Sequence, residues 1–295
     1  MPVTNAQKFL QARAALRFTE MRNFGANLFV DSVAGASTGG YSPDSAAATL
    51  IQAQTAATAS NDDVVWVAPA HAETVTGAAG MTFSKAGVTY RGLGAGRLRP
   101  TISFTTAIGA QIIVSGANIT FQNMVFDFTG FDAITAAISV TGANVAFEDC
   151  EFIVNSTTAG CVLGILTAAT ATRFRVERCR FIGAFTNSGT TVTACIKHEV
   201  GVDFKFANNY FCGKMTQAIL NATTITNGLI DNNLFHVGTG TVAITMETSS
   251  AGLISRNVAC VASGTAPYAG AAMSYSQNHY TTEANGPTAG TADAI

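Results

Sequence analysis

Two similar stretches, GANITFQNMVFDF at residues 116–128 and GANVAFEDCEFIV at residues 142–154, begin 26 residues apart. Each starts with Gly-Ala-Asn, alternates apolar with polar residues, breaks the alternation at a polar residue or pair, and ends in a second short apolar run. Alternation with a period of two is typical of a β-strand that buries one face. The repetition therefore predicts strand–bend–strand units that recur along the chain.

The same pattern recurs in seven units. When the inner apolar residue of each unit is position zero, the column reads Tyr90, Phe121, Phe147, Val176, Phe206, Ile230 and Ile254. Five residues later, the column reads Phe126, Phe152, Phe181, Phe211, Phe235 and Ala259. Repeats of variable length with fixed columns are typical of solenoids, because each coil covers the apolar face of the previous one. We therefore predict an all-β parallel solenoid with the five Phe rings stacked inside.

The polar residues at positions +2 and +3 interrupt the alternation, so the chain should bend there. Asn tolerates the left-handed backbone of a tight bend, which we take as the role of the pairs Asn208-Asn209 and Asn232-Asn233. Neighbouring coils lie about 4.8 Å apart, so Cys150 should lie on Cys179. We expect the six cysteines to be buried free thiols, because none of them forms a C-x-x-C pair.

This pattern resembles the single-stranded right-handed parallel β-helix, the superfold of pectate lyases and of many phage tailspikes. The resemblance covers about residues 60–262 and is the source of the expected right-handedness. Residues 71–104, which include RGLGAGRLRP, are similar to β-helix proteins commonly encoded among phage structural genes. The resemblance implies a structural protein of a tailed-phage virion.

Three segments are expected in the chain. Residues 1–40 form an N-terminal arm, residues 41–262 form the β-helix with a capping helix at 41–60, and residues 263–295 form an extended tail. Ser42 is a candidate N-cap, and Pro43 suits the first turn that follows. Such a helix would cover the open edge of the first coil, which otherwise invites other strands to pair with it.

The N-terminal arm is basic, although the whole chain carries a net charge of −2. An anchor laid on another protein would use its cations and an aromatic ring, so the candidate partner-binding residues are Lys8, Phe9, Arg13, Arg17 and Arg22. The alternative is a helix that packs beside the solenoid.

Composition argues against several classes of partner. Only 12% of the 295 residues are charged and the net charge is slightly negative, which disfavours nucleic acid as a partner. The uncharged run at 100–126 contains polar residues throughout and alternates, so we expect no membrane-spanning helix. The first 18 residues lack the apolar core of a secretory signal.

Glu148 and Glu177 are the candidate catalytic residues. Both occupy position +1 on adjacent coils, which would place them about 4.8 Å apart, and glycosidic hydrolysis generally uses two carboxylates about 5–9.5 Å apart. The same two coils oppose an acid to a base at positions +2 and +4, as Asp149 to Arg178 and Glu151 to Arg180. Such pairs favour a surface charge ladder, which contributes a few tenths of a kcal/mol per pair, over a catalytic site.

Other catalytic and ligand-binding signatures are weak. The resemblance implies clustered aspartates for calcium in pectate lyases and a paired Asp-Asp with Gly-His-Gly in polygalacturonases, but the sole Asp-Asp here is Asp62-Asp63, ahead of the first strand. His198 is expected in a long loop, and GLGAGR at 92–97 lacks the full dinucleotide spacing. We expect no cofactor and no metal.

The sequence thus favours a non-enzymatic structural virion protein, most simply a decoration or cement protein of the capsid surface. We expect it to assemble in the host cytoplasm, to form a homotrimer, and to contact the major capsid protein or other virion proteins. One alternative is a glycan-binding or depolymerising module of the tailspike type, which would bind a surface glycan. The other is a secreted bacterial adhesin or lyase.

Overall fold

The computed structural model describes residues 25–282, with gaps at 37–38, 78–79, 106, 108, 131–133, 155–160, 184–191, 200, 238–241, 262–267 and 270–271. The arm residues Lys8, Phe9, Arg13, Arg17 and Arg22 lie outside the described residues, as does the end of the tail after residue 282.

Strands dominate the described chain. In order they are β1 Asn27–Val30, β2 Val64–Val67, β3 Ala72–Val75, β4 Met81–Phe83, β5 Thr89–Gly92, β6 Thr101–Phe104, β7 Ile112–Val114, β8 Thr120–Gln122, β9 Val125–Asp127, β10 Ile134–Val140, β11 Ala146–Glu148, β12 Glu151–Ile153, β13 Cys161–Thr167, β14 Arg175–Glu177, β15 Arg180–Ile182, β16 Val192–His198, β17 Gly201–Val202, β18 Lys205–Ala207, β19 Tyr210–Gly213, β20 Met215–Asn221, β21 Ile225–Thr226, β22 Gly228–Asp231, β23 Leu234–Val237, β24 Ile244–Thr245, β25 Gly252–Ser255, β26 Val258–Val261, β27 Tyr268–Ala269, β28 Met273–Ser276 and β29 His279–Thr282. The helix α1 spans Leu50–Ala56, and short 3-10 turns span Pro43–Ser45 and Gly96–Leu98.

These strands form three long parallel sheets, to which each full coil contributes one strand apiece. Sheet 1 has the order β1-β2-β5-β8-β11-β14-β18-β22-β25-β28, and sheet 2 has the order β3-β6-β9-β12-β15-β19-β23-β26-β29. Sheet 3 has the order β4-β7-β10-β13-β16-β20-β24-β27, and β17 pairs with β21 beside it. The fold is a right-handed parallel β-helix, as predicted.

The predicted interior columns are confirmed. Position zero is in register from Tyr90 to Ile254, and position +5 is in register from Phe126 to Ala259. The five Phe rings stack with centroids 4.5–5.2 Å apart and planes within 13° of parallel. Because these rings are buried, they form the continuous apolar spine of the molecule.

Two bends per coil use a left-handed backbone. Position −3 has positive φ at Asp62, Gly87, Asn118, Asn144, Arg173, Asp203 and Asn227. Position +2 has positive φ at Asn123, Asp149, Arg178, Asn208, Asn232, Arg256 and Gln277. The fixed bends explain why each unit keeps a constant interval between its two strands while the later loop varies.

The predicted role of the Asn pairs was right for the first residue of each pair only. Asn209 and Asn233, at position +3, are buried, with their amides inside the coil. Asn209 Nδ2 donates to Asn233 Oδ1 at 3.0 Å and Asn233 Nδ2 donates to Asn257 Oδ1 at 2.9 Å, and Asn257 continues the ladder to Asn278. Each of these three amides also donates to a main-chain carbonyl, so the buried polar atoms are satisfied.

In the earlier coils thiols replace these amides. The Sγ atoms of Cys150 and Cys179 donate to the carbonyls of Phe121 and Phe147 at 3.5 and 3.4 Å. Burial raises the pKa of the Cys179 thiol, which is typical of an inert, structural cysteine. The described cysteines outside position +3 (Cys195, Cys212 and Cys260) are also free thiols.

The predicted helix at 41–60 is shorter than expected. Ser42 caps only the 3-10 turn at Pro43–Ser45, and Ala47 then pairs with β1, donating to Phe29 O at 2.8 Å and accepting from Asp31 N at 2.9 Å. The helix begins after Thr49, which forms a capping box with Gln52. The chain stays extended before Thr49 because it must satisfy the open edge of β1.

Paired strands also extend beyond the predicted β-helix bounds of 41–262. At the N-terminal end β1 pairs with β2, and at the C-terminal end β28 and β29 pair with β25 and β26. The attachment roles of the arm and the tail stay predictions.

Candidate functional site

A row of polar side chains runs along the outer face of sheet 1. Position +1 points outward because position zero points inward, and the row contains Arg91, Gln122, Glu148 and Glu177 in register. The predicted neighbours Glu148 and Glu177 are thus brought together by adjacent strands, β11 and β14. The first two members of the row were missed in the sequence, although they share its column.

Hydrogen bonds link the row across four coils. Arg91 Nε donates to Gln122 Oε1 at 2.6 Å, and Gln122 Nε2 donates to Glu148 Oε2 at 3.0 Å. Arg178 Nη2 donates to the same oxygen at 3.3 Å, and Arg178 Nε donates to Asp149 Oδ1 at 2.9 Å. These contacts hold the side chains in place at the surface.

These side chains line a surface depression of about 430 Å³, which we call the Gln122 pocket. Its lining consists of Arg91, Gly92, Gln122, Asn123, Glu148, Asp149 and Arg178. Every member except Gly92 offers a charged or amide group, so the pocket suits a ligand rich in hydroxyl groups or charge.

The loop after β5 forms one wall of this pocket. Asn123 Nδ2 donates to Gly92 O and Gly94 O at 2.9 and 3.0 Å. Arg99 Nη2 reaches across two coils to Asp149 O at 2.6 Å. The GLGAGR motif therefore forms a turn in which its backbone closely approaches the next coil.

The predicted charge ladder is confirmed. Asp149 pairs with Arg178 at 2.9 Å and Glu151 pairs with Arg180 at 3.3 Å. The hydrogen bond to Asp149 raises the pKa of the Arg178 guanidinium. Surface pairs of this kind contribute at most about 1 kcal/mol each.

Each candidate catalytic carboxylate is held by a cation of its own. Glu148 Oε2 lies 3.3 Å from Arg178 Nη2, and Glu177 Oε2 lies 2.8 Å from Lys205 Nζ. Both carboxylates accept hydrogen bonds from charged donors. The arrangement can therefore bind polar groups of a ligand.

The prediction that His198 lies in a loop was wrong. His198 is the last residue of β16 and is buried, with Nδ1 2.7 Å from Thr167 Oγ1. Its ring packs beside Phe174 and Phe204, with centroids 6.1 and 5.0 Å away. Burial lowers the pKa of His198 from 6.5 to about 4, so the ring is neutral at pH 7.

Asp63, the second residue of the sole Asp-Asp pair, has a structural role. Its side chain is fully buried and accepts hydrogen bonds from Ala26 N at 2.6 Å and Thr58 N at 2.7 Å. These bonds tie the chain before β1 and the segment after α1 to the start of β2.

The described part of the chain has neither a group of metal-ligating residues nor a membrane-spanning helix. No three His, Cys, Asp or Glu residues there are grouped as metal ligands. In the same ranges, no helix has both the length and the apolar character needed to cross a bilayer.

Comparisons with known proteins concern the fold. No family model matches the chain, and no curated protein matches it in sequence. Among solved structures, a rhamnogalacturonan lyase matches with a TM-score of 0.48 and 12% identity, over 80% of this chain and 74% of the lyase chain.

This match corrects one prediction. We predicted that the chain is not an enzyme, and a structure with the same kind of fold belongs to a protein named as a lyase, which contradicts that prediction. At this level of similarity the likeness is one of fold, and it assigns no reaction and no substrate to this chain.

Proposed function

We propose that this protein is a structural component of a tailed-bacteriophage virion, displayed on or near the capsid surface as a decoration or cement protein. The observation that carries the proposal is the unbroken packing of the coils. Phe rings stack from Phe126 to Phe235, and the amide ladder continues from Asn209 to Asn278. Local opening would disrupt several columns at once, which favours resistance to proteolysis outside a cell.

The sequence supports the location and the partners of this proposal. Residues 71–104 resemble β-helix proteins encoded among phage structural genes. In the proposal the chain assembles in the host cytoplasm, forms a homotrimer, and binds the major capsid protein or another virion protein through its basic arm. The arm residues that would make this contact are Lys8, Phe9, Arg13, Arg17 and Arg22.

Imaging of purified particles tests the proposal. Density for a β-helix on the capsid, together with peptides of this chain in the same particles, is the expected result. A chain with residues 1–24 removed should keep its β-rich circular dichroism spectrum and fail to join particles. As a matched control, a chain with Leu234→Ser on sheet 2 should still join. Absence of the chain from the particles would refute the virion role.

The Gln122 pocket favours a second candidate function, the binding of a surface glycan. Its six charged or amide side chains offer donors and acceptors in the planar arrangements that sugar hydroxyls use. Binding of capsular polysaccharide should be lost in Gln122→Ala and kept in Gln217→Ala, which changes a glutamine of sheet 3. Release of sugar by the wild type that is abolished in Glu148→Gln or Glu177→Gln would instead assign a depolymerising activity to the polar row of sheet 1, in which these two residues are neighbours.

A further inference from the structure

A second depression, of about 510 Å³, lies at the opposite border of sheet 1 from the Gln122 pocket. It is lined by Asn144, Arg173, Arg175, Asp203, Phe204, Lys205, Asn227 and Leu229. These residues occupy positions −3 to −1, the bend before sheet 1 and the first residues of its strands. None of them was singled out as a site residue in the sequence.

Three cations gather in this depression, and we call them the Arg175 cluster: Arg173, Arg175 and Lys205. Arg175 and Lys205 are directly paired in register on β14 and β18. Like charges placed opposite each other on neighbouring strands are destabilising. Arg173 adds a third positive charge from the bend, where its backbone has a φ of 55°.

A single carboxylate, that of Glu177, is shared between two of these three cations. Glu177 Oε2 lies 2.8 Å from Lys205 Nζ, but its other oxygen is 4.0 Å from Arg175 Nη1, too far for a hydrogen bond. Arg175 Nε is buried and has no hydrogen-bond partner within the described ranges. A buried guanidinium nitrogen without an acceptor costs free energy.

Three other arginines on the outer faces of the sheets are closely paired. Arg178 bonds to Asp149, Arg180 to Glu151 and Arg256 to Asp231. By contrast, the side chain of Arg173 has neither an ion pair nor a hydrogen bond to any residue that the structure describes, although Asp203 occupies the same position on the next coil. The charge ladder is therefore incomplete at this border of sheet 1.

We propose that the Arg175 cluster binds an oxyanion, namely a carboxylate, sulfate or phosphate group. A guanidinium presents a planar fork of donors that fits two oxygens of such a group, and an anion between Arg175 and Lys205 would relieve their repulsion. The amides of Asn144 and Asn227 and the apolar side chain of Leu229 line the same depression, so it has room for the organic carrier of the anion. The inference does not depend on the virion role.

Titration calorimetry with three probes tests this site. The probes are inorganic sulfate, dextran sulfate and uncharged dextran, at low and high salt. Wild type should bind dextran sulfate with a strong salt dependence and should not bind dextran. Binding of inorganic sulfate as well would mean that the site takes the free ion; binding of dextran sulfate alone would mean that it takes a polymer-borne anion.

Matched variants separate the site from general charge. Arg175→Gln and Arg173→Gln should each weaken binding about tenfold or more, as expected for a lost charged hydrogen bond. Arg180→Gln removes the same charge from sheet 2, where Glu151 still has Arg99 as an ion-pair partner at 3.5 Å. The affinity of this variant for dextran sulfate should therefore stay within about twofold of that of wild type. Equal losses in all three variants, or no binding of either anion by wild type, would overturn the proposal.

A stability measurement distinguishes a ligand site from a structural role. Without sulfate, Arg175→Gln should unfold at a temperature equal to or above that of wild type, because the repulsion by Lys205 is removed. Sulfate should raise the melting temperature of wild type and Arg180→Gln, and leave that of Arg175→Gln unchanged. A lower melting temperature of Arg175→Gln in sulfate-free buffer would mean that Arg175 serves the fold instead.

Discussion

At the scale of single residues, the interior is built from columns in which each member touches the next. The ring of Phe181 lies 4.5 Å from that of Phe152 and 4.6 Å from that of Phe211, with nearly parallel planes. Removal of one ring therefore leaves a cavity with two aromatic walls, which the stacked backbone cannot close.

Phe181→Ala should lower the free energy of unfolding by about 3–5 kcal/mol because of this cavity. Denaturant unfolding followed by circular dichroism measures the change. Val258→Ala on sheet 2 is the control, since Val258 is 45% exposed. A cost below about 1 kcal/mol for Phe181→Ala would mean that the ring is not in the interior column.

The amide ladder gives a second prediction at this scale. Asn233→Ala deprives the backbone N and Nδ2 of Asn209 of their shared acceptor and removes the side-chain donor to Asn257 Oδ1, so it should cost about 2 kcal/mol or more. Its neighbour Asn232 has a φ of 53° and is exposed, so Asn232→Gly should be nearly neutral. Equal effects of the two substitutions on unfolding would contradict the ladder.

His198 makes stability depend on pH. Its pKa is lowered by burial from 6.5 to about 4, so the unfolded chain binds the proton more readily than the folded chain. The contribution of neutral His198 to the free energy of unfolding is therefore complete above pH 6.5. It declines as the pH falls towards 4, by up to about 3 kcal/mol. Unfolding between pH 7.5 and 4.5 should show this decline in wild type and in the control His236→Gln, and a smaller one in His198→Gln. An unchanged decline in His198→Gln would show that another group titrates.

At the scale of elements, sequence periodicity located the strands and the bend at position +2, but it did not indicate the bend at position −3. The columns at positions zero and +5 could be predicted because buried side chains in stacked coils must match in size and polarity. The bend at position −3 could not be predicted from residue type: Arg173 has a φ of 55° there, although arginine has no intrinsic preference for a left-handed backbone, and the neighbouring coils impose it. Tertiary pairing likewise shortened the helix predicted at 41–60.

The capping box of α1 gives a prediction for that element. Thr49→Ala removes the acceptor for Gln52 N at 3.2 Å and should lower the free energy of unfolding by about 1 kcal/mol. Ser42→Ala, which affects only the exposed 3-10 turn, should cost less. A larger effect at Ser42 would mean that the helix begins at Ser42, as the sequence first indicated.

The candidate site was predicted in part. Glu148 and Glu177 share a column by sequence spacing alone, and the structure places them side by side. The Gln122 pocket and the depression that holds the Arg175 cluster were not predicted, because each is lined by side chains from four coils whose loops differ in length. The sequence columns predicted the charge pairs between coils, but not the depressions that form beside them.

At the scale of the whole molecule, the structure is a stack of coils in register from β1 to β29. This stack presents two polar depressions on one sheet. A slip of one residue between two coils would turn the Phe column outward and break the polar row at the same point.

The most direct test of this stack is the distance between two spin labels on sheet 2, measured by pulsed electron paramagnetic resonance. Position 180 is in register with 210, 234, 258 and 279 on successive coils, so labels at 180 and 279 should lie about 19 Å apart and labels at 180 and 258 about 14 Å apart. Cys260 is replaced by Ser to avoid extra labelling. Distances that grow by about 4.8 Å per coil are the predicted result; distances that do not differ between the two label pairs would contradict an in-register parallel β-helix.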